Sequence, residues 1–510
     1  MKRNHPTNHT MTQPNKKTGA LLAAALLTSA FNSAFAGQTY ANHSGGKTVI
    51  DKAPESNPLS FLDGALVFDV QERLRWEIRD NNFDFDDAVN VFTDDNWFLQ
   101  RARIGMLVKP CDWLKVYVQA QDAREINSDR PDFPGLLGAE GDDSFDLRQG
   151  WVEFGNVKKF PLTLKVGRQI LSYADERLIG AFDWNNIGRT FDAVKLRWEE
   201  KTWWLDAFAS SVVVPERGSY NQSDLFNGNE TDREQIFSGL YFSTTALGPQ
   251  SIDLYALHLH ENTNPRYLPA AIGNTDFVTL GLRLKSKPGA FAHAAPALDG
   301  KSVADGKSTP PPAAGQKPVG LDYEFEGAFQ TGHVRGLDLT AFAVHGGAGY
   351  TFDVAWLPRL GVEYSYGSGD SDPTDQDLET FQNLFPTNHK FYGQMDVFSW
   401  QNLHDLGVIV KAQPVKAVTL KAEYHAFWLA TTDDVWYRAN GVTAVRPLTP
   451  AARAASDYAG SEVDVTAQWT VCKHFSVEAG YSHFFAGDYL KDTGAHDDAN
   501  FGYLQATLTF

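Results

Sequence analysis

The chain has 510 residues, 43% of them hydrophobic, 13% aromatic and 21% charged. A mean hydropathy of −0.34 and the lack, past residue 36, of any apolar run of roughly 18 residues exclude membrane-spanning helices. Its 34 Phe, 18 Tyr and 13 Trp exclude a disordered chain, and a formal net charge of −18 argues against a nucleic-acid partner.

At the start of the chain, Lys16 and Lys17 precede the apolar stretch Ala20 to Leu27, and small residues follow as far as Ala34-Phe35-Ala36. A basic segment, a short apolar run and a small-x-small site are the pattern of a cleavable secretory signal, expected over residues 1–36. A short core helix is the competing account, but nothing amphipathic follows. Losing Lys2, Arg3, Lys16 and Lys17 with the signal would take the net charge from −18 to −22. Residues 37–60, polar and rich in Gly, Ser and Asn, are expected to form a flexible periplasmic tail.

From Leu66 onward apolar and polar residues alternate. Leu66, Phe68, Val70, Leu74, Trp76 and Ile78 share one parity; Asp69, Gln71, Arg73, Arg75, Glu77 and Arg79 share the other. Period two over this length is a strand with one apolar and one charged face. The pattern returns in about 18 segments, starting near 66, 97, 113, 145, 162, 189, 201, 235, 250, 276, 319, 337, 358, 402, 415, 459, 474 and 500. Short links (110–112, 158–161, 199–200, 414–415, 472–473) alternate with long polar ones (80–96, 126–144, 172–188, 215–234, 369–401, 430–458, 486–499). Residues 61–510 are therefore expected to be all-β, a closed antiparallel transmembrane β-barrel with short periplasmic turns, long extracellular loops and both termini in the periplasm. A β-sandwich would leave one charged face per strand without a reason, and no repeat of 20–50 residues supports a propeller or solenoid.

Residues 286–318, with Pro310-Pro311-Pro312 and many Ala, Gly and Ser, read as a low-complexity insertion on the periplasmic side, either a loose loop or a gate or docking segment. Cys111 and Cys472 fall in the turns after the second and sixteenth strands, in neither a CxxC nor a CxxCH setting. About four strand spacings, ~19 Å, separate those turns, beyond the ~7 Å that a disulfide tolerates, so no bridge is expected. At the end of the chain Leu504, Ala506, Leu508 and Phe510 alternate with polar residues; Phe510 and Leu508 resemble the signal read by the barrel assembly machinery.

The apolar parity must face lipid, so the charged parity faces a water-filled interior. Arg73, Arg75, Arg101, Arg103, Lys115, Lys195 and Arg197 come from the first six strands, and Glu324, Glu326, Glu363, Asp405, Glu423, Asp464 and Glu478 from strands 11 to 17. The two arcs would face each other across the barrel and set up a transverse field; mutually neutralising ion pairs are the alternative. Arg73, Arg75, Arg101 and Arg103 form an unpaired patch suited to gripping carboxylates.

Phe145-Asp-Leu-Arg-Gln-Gly-Trp-Val-Glu-Phe154, Leu164-Lys-Val-Gly-Arg-Gln169, Asp183-Trp-Asn-Asn-Ile-Gly-Arg-Thr-Phe-Asp192 and Lys195-Leu-Arg-Trp198 together resemble the alginate export family of outer-membrane porins. The resemblance implies an 18-stranded barrel and an arginine-rich conduit for an acidic polysaccharide. It makes Arg148 one conduit residue and either Arg101 or Arg103 another. Arg168, in the Gly-Arg-Gln motif, is a further conduit candidate. Two positions depart from the exporter's pattern: Ile170 and Gln71 stand where it carries basic residues. Arg148 and Arg168 also share the parity of apolar neighbours, so a bulge or a position above the membrane is needed to turn them inward.

HExxH, GxSxG, P-loop and strand-linked GxGxxG motifs are absent from the sequence. No enzyme activity, cofactor or metal site is expected, and His404, His425, His474 and His483 read as lumen-lining residues. The acidic loops (Asp84, Asp86, Asp87, Asp94 and Asp95; Asp142, Asp143 and Asp146; Asp370, Asp372, Asp375 and Asp377) match no EF-hand and read as solvated. Three functions follow: a channel for anionic or hydrophilic saccharides, a general small-solute porin, or an outer-membrane enzyme or adhesin. The expected partners are outer-membrane lipids and lipopolysaccharide, the barrel assembly machinery, and a saccharide or other small anionic solute.

Overall fold

The computed structural model describes residues 58–89, 93–130, 142–215, 220–223, 235–262, 274–286 and 319–510. The expected signal 1–36, nearly all of the tail 37–60 and the insertion beyond Ser286 lie outside the described residues. Eighteen long strands follow in chain order. The first nine are β1 (Leu66–Asp80), β2 (Asp95–Cys111), β3 (Leu114–Ile126), β4 (Asp143–Phe154), β5 (Leu162–Gln169), β6 (Phe191–Glu199), β7 (Trp203–Val212), β8 (Gln235–Thr244) and β9 (Gln250–Glu261). The rest are β10 (Thr275–Ser286), β11 (Gly320–Val334), β12 (Leu337–Thr351), β13 (Arg359–Gly367), β14 (Leu403–Val415), β15 (Val418–Trp428), β16 (Tyr458–Cys472), β17 (Phe475–Ala486) and β18 (Ala499–Thr509). Every expected strand start falls within three residues of an observed one.

Each strand pairs antiparallel with its neighbours in the chain. β18 closes the ring on β1, with Gln71 opposite Thr509 and Asp80 opposite Asn500. Two-residue pieces at Ser60–Phe61 and Asp377–Leu378 pair with β1 and β12. The seam is fastened by Phe510, whose N–H donates to the Val70 carbonyl at 2.9 Å while accepting from Val70 N–H at 3.2 Å. Closure leaves no unpaired edge, which a sheet in lipid cannot tolerate.

The barrel is inverted relative to a water-soluble core. Trp76, Ile78, Ile104, Val118, Leu280, Val362, Val465 and Leu504 are exposed on the outer face, while Arg75, Arg101, Asp206, Asp405 and Glu462 are buried inside. Rings near the rim of short turns pair on the outside, Trp113 with Phe154 and Phe160 with Trp198, as an interfacial girdle requires. Cys111 and Cys472 close β2 and β16 on this rim and are free thiols. The opposite rim carries the long loops, with one exception. β11 and β12 join through Arg335 and Gly336, whose φ values of 52° and 87° suit a tight two-residue hairpin.

The reading of the long loops as solvated needs correction. Phe83 and Phe85 (loop 81–94), Leu171, Tyr173 and Ile179 (170–190), Phe381, Phe385, Tyr392, Phe398 and Trp400 (368–402) and Trp436 (429–457) are all buried in one cluster. They pack against inward residues of the wall such as Phe191, Phe237, Phe427 and Phe484. The loop-side half of the expected water-filled interior is thus largely filled, while Ser371 to Asp377 stay exposed. Loops 170–190 and 368–402 form one unit: Ile179 bridges Phe385 in parallel register, and Gly180 N–H and Thr387 N–H donate to the Phe385 and Glu176 carbonyls at 2.8 and 2.9 Å.

Candidate functional site

Register places Arg73 opposite Arg101 and Gln71 opposite Arg103, so β1 and β2 present their arginines inward as one patch, with Arg75 one step along. Arg148 joins them through a bulge. Gln119 pairs with Gln149 and Ala120 with Leu147, leaving Arg148 as the extra residue in β4 and turning its side chain inward, as the sequence required.

The patch is not unpaired, which corrects the expectation from sequence. Loop 170–190 lies across it and the guanidiniums hold the loop. Arg73 donates to the Asp183 carbonyl at 2.7 Å, the Asn185 carbonyl at 3.2 Å and Asn186 Oδ1 at 3.1 Å. Arg75 donates to the Trp184 carbonyl at 2.6 Å and stacks 3.9 Å from the Trp184 ring. Arg101 donates to the carbonyls of Asp183 and Asn185 at 3.1 and 3.2 Å, and lies 3.3 Å from Asp183 Oδ2. Arg103 meets Asp183 Oδ1 at 2.7 Å, and Arg148 approaches the same oxygen at 3.7 Å while donating to the Ile187 carbonyl at 3.0 Å.

The Asp183 carboxylate thus meets three of the five guanidiniums, and Arg75 also pairs with the buried carboxylate of Glu77 at 2.5 Å. The remaining acceptors are carbonyls and the amide oxygens of Asn186, Gln71 and Gln121. Burial opposes the charge on Asp183, but Arg101, Arg103, Arg148 and Arg73 outweigh it and hold its carboxyl well below the usual range. The Asp183 side chain is still 51% exposed to the lumen, whereas those of Arg101 and Arg148 are 1% and 3% exposed. Arg101 Nε, Arg103 Nη2 and both Arg148 Nε and Nη2 have no hydrogen-bond partner among the described residues. A local excess of positive charge and of unused donors remains.

Nearer the short turns lies a second basic tier. Lys115 and Lys165 lie 2.8 and 3.6 Å from the two Glu153 oxygens. Lys195 is 3.6 Å from Asp206 Oδ2, and Arg197 Nε is 2.6 Å from Asp206 Oδ1. Arg168 belongs to neither tier, and its expected conduit position is corrected. β5 has no bulge, so Arg168 keeps the register of Leu164 and Val166 and pairs through Nε and Nη2 with Asp192 at 2.9 and 3.1 Å. Asp192 shares the parity of Val194 and Leu196, which are exposed on the outer face.

The acidic residues line the wall from β11 to β17. Glu324 meets Lys285 at 2.7 Å and His345 at 3.1 Å, and Glu326 accepts from Tyr255 at 2.9 Å. Asp405 pairs with His425 at 2.9 Å, Glu423 with Lys421 at 2.5 Å, and Glu478 accepts from Tyr503 at 2.7 Å. Asp464 is buried beside Glu462 on the same strand. β4 and β13 are nine places apart in a ring of eighteen strands, so the basic and acidic walls stand opposite each other. The residues able to hold a metal ion also lie here, in the groups Glu324, His345, Glu363 and Glu363, Asp405, His425.

Sequence reasoning missed the counter-ions Asp183, Glu153 and Asp206, and the inward path of two loops. A usable signal was present: Phe381, Phe385, Phe391, Tyr392, Phe398 and Trp400 are dense aromatics for a solvated loop.

The alginate export family model matches residues 66–503. Among solved structures, OccK9 (OpdG) of Pseudomonas aeruginosa superposes with a TM-score of 0.56 at 13% identity, over 88% of this chain and 100% of that one. OccK2 (OpdF) of the same organism, in complex with glucuronate, gives 0.53 at 11% identity over 87% and 98%. OccK1 (OpdK), also from that organism, gives 0.53 at 12% identity over 87% and 98%. At such identities the likeness is one of fold. No curated protein sequence matches.

Proposed function

Since the chain belongs to the alginate export family and is an outer-membrane channel rather than an enzyme, we propose that its lumen passes anionic or hydrophilic saccharides along the arginine wall. The observation that carries this reading is the gathering of five guanidiniums, Arg73, Arg75, Arg101, Arg103 and Arg148, against loop 170–190, with the carboxylates of Asp183 and Glu77 as their ion-pair partners among the described residues. That imbalance biases the lumen potential toward anions although the whole chain is acidic. A small sugar acid suits the channel better than alginate itself. Ile170 and Gln71 lack the exporter's basic groups, and loop 170–190 covers the arginines that a polymer would need to reach. OccK2, which shares the fold, is in complex with the sugar acid glucuronate.

The same reading places residues 1–36 as the export signal, lipid and lipopolysaccharide around the barrel, and Phe510 with Leu508 as the mark read by the assembly machinery. Leu508 is exposed on the outer face, where such a reader has access. The general small-solute porin is the second reading, and the acidic wall from β11 to β17 favours it. Planar-bilayer recording separates the two. Anion preference in a KCl gradient, with conductance reduced by glucuronate and not by neutral maltose, is the expected result. Cation preference without a glucuronate effect would make the small-solute reading the correct one.

A further inference from the structure

We propose that the acidic wall carries a binding site for a first-row divalent cation of the Zn(II) class, centred on Glu363 and independent of the solute that the channel passes. Five consecutive strands each contribute one side chain: Glu324 (β11), His345 (β12), Glu363 (β13), Asp405 (β14) and His425 (β15). In the groups Glu324–His345–Glu363 and Glu363–Asp405–His425 the ligand atoms all lie within 4.8 Å of one another.

Register explains the convergence. Along one row across the sheet, Glu324 faces Gly347, Gly347 faces Glu363, Glu363 faces Gly407 and Gly407 faces His425. Ligands thus alternate with glycines. A Cβ on Gly407 would stand 2.7 Å from Glu363 Cγ and 3.3 Å from His425 Cε1, and one on Gly347 would stand 3.4 Å from Glu363 Cβ and 3.5 Å from Glu324 Cγ. The glycines clear the space into which Glu363 leans. In the adjacent row Glu326, His345, Ser365 and Asp405 are aligned, which sets His345 and Asp405 diagonally against Glu363.

The donor set fits an ion. His345 Nδ1 is held by Ser365 Oγ at 3.0 Å, with Nε2 turned toward Glu324 Oε1 at 3.1 Å. His425 Nδ1 is held by Asp405 Oδ1 at 2.9 Å, leaving its other ring nitrogen for a metal. Hydroxyl and carboxylate partners of this kind orient metal-binding imidazoles. Asp405 is fully buried, and its Oδ2 has no hydrogen-bond partner. The fixed cations nearby serve other oxygens: Lys285 lies 2.7 Å from Glu324 Oε2 and Arg177 lies 3.8 Å from Glu326. Neither pairs with Glu363 or Asp405 among the described residues. Glu363 has a carboxylate neighbour in each group, Glu324 in one and Asp405 in the other, and such neighbours repel unless a proton or a cation lies between them. Two imidazoles among the donors favour zinc-like ions over calcium or magnesium, which take oxygen ligands.

The test uses the untagged full-length barrel, stripped with EDTA and titrated with ZnCl2 by calorimetry and with CoCl2 by visible absorption. Micromolar zinc binding that excess magnesium does not displace is expected, with Co(II) bands diagnostic of nitrogen ligation. Bound zinc also shifts the reversal potential toward anions, because it offsets the acidic wall. Glu363→Gln and, separately, His425→Asn, each verified as folded by heat-modifiable electrophoretic mobility, lose about tenfold or more in affinity. His345→Asn takes the place of either variant that fails to fold, and His333→Asn, outside the cluster, binds as the parent does. Absence of zinc binding in the parent, or equal affinity in the folded cluster variants, overturns the proposal. Zinc binding and glucuronate block are read separately, so either proposal fails without the other.

Discussion

Between β1 and β4, five guanidiniums converge on a loop that supplies one carboxylate and a row of carbonyls; between β11 and β15, three carboxylates converge on two imidazoles across the wall itself. The difference follows from what each side chain demands. A guanidinium has five donors and no acceptor, so backbone carbonyls satisfy it, and any chain segment passing over the patch is a usable partner. A carboxylate accepts only, and loop backbone offers it one N–H per residue. The arginine wall therefore captured a loop. The acidic wall kept its charges on the strands, where histidines, Lys285, Lys421 and the proposed cation balance them, with Arg177 as the loop's basic contribution beside Glu326.

The strongest way to break this comparison is Arg101→Glu combined with Arg103→Glu. Breaking a fully buried ion pair costs about 3–5 kcal/mol. With Asp183 51% exposed each of these pairs contributes less, but losing both together with the carbonyl bonds of Arg101 should release loop 170–190 from the wall. Bilayer recording should show larger conductance together with cation preference, and hydrogen exchange should become fast over 176–190. Retained anion preference with a still-protected loop would mean that the arginines neither dock the loop nor set selectivity.

Asp183→Ala makes a smaller and opposite change. It removes hydrogen bonds to charged groups worth about 1.5–3 kcal/mol, at the lower end because the carboxylate is 51% exposed. The loop loosens, but positive charge is unmasked, so anion preference should rise rather than fall. A fall in the measured reversal potential would show that Asp183 is itself part of the anion path.

Acidity tests the docking of the loops. Burial works against the charge on Asp175 and Asp396, yet Arg283 with Lys285 for the first, and His389 with Arg79 for the second, hold both carboxyls below their ordinary range, as the arginines do for Asp183. A depressed carboxyl stabilises the docked loops fully above its unfolded pKa of about 3.9, and that contribution is lost as pH falls through the lower folded value. Conductance should accordingly be constant from about pH 7 to pH 5 and rise only in stronger acid. A rise already at pH 6 would assign the docking to other groups.

The smallest effect is expected at Arg168→Ala. Its partner Asp192 lies on outer parity, so reversal potential should match the parent within error, with at most a lower temperature for heat-modifiable unfolding. A shift of the same size as at Arg101 would return Arg168 to the lumen and invalidate the register given for β5.

Strand number, strand parity and the inversion of polarity could be read from the residues, because period two is a local property and lipid leaves one face no choice but apolar. Arg73, Arg75, Arg101 and Arg103 were placed inward on that ground alone, and the structure agrees. Arg148 and Arg168 looked alike in sequence, each sharing parity with apolar neighbours. Only the pairing of β4 with β3, where one extra residue is accommodated, sends Arg148 inward while Arg168 stays outside. The path of loop 170–190 likewise depended on partners about 80 to 110 residues away, from Arg73 to Arg103. Glu324, His345, Glu363, Asp405 and His425 have no motif spacing, and they meet because five strands share a register and two intervening positions are glycine. Local alternation determined the barrel; long-range register and loop docking, which no window of sequence contains, decided what its interior holds.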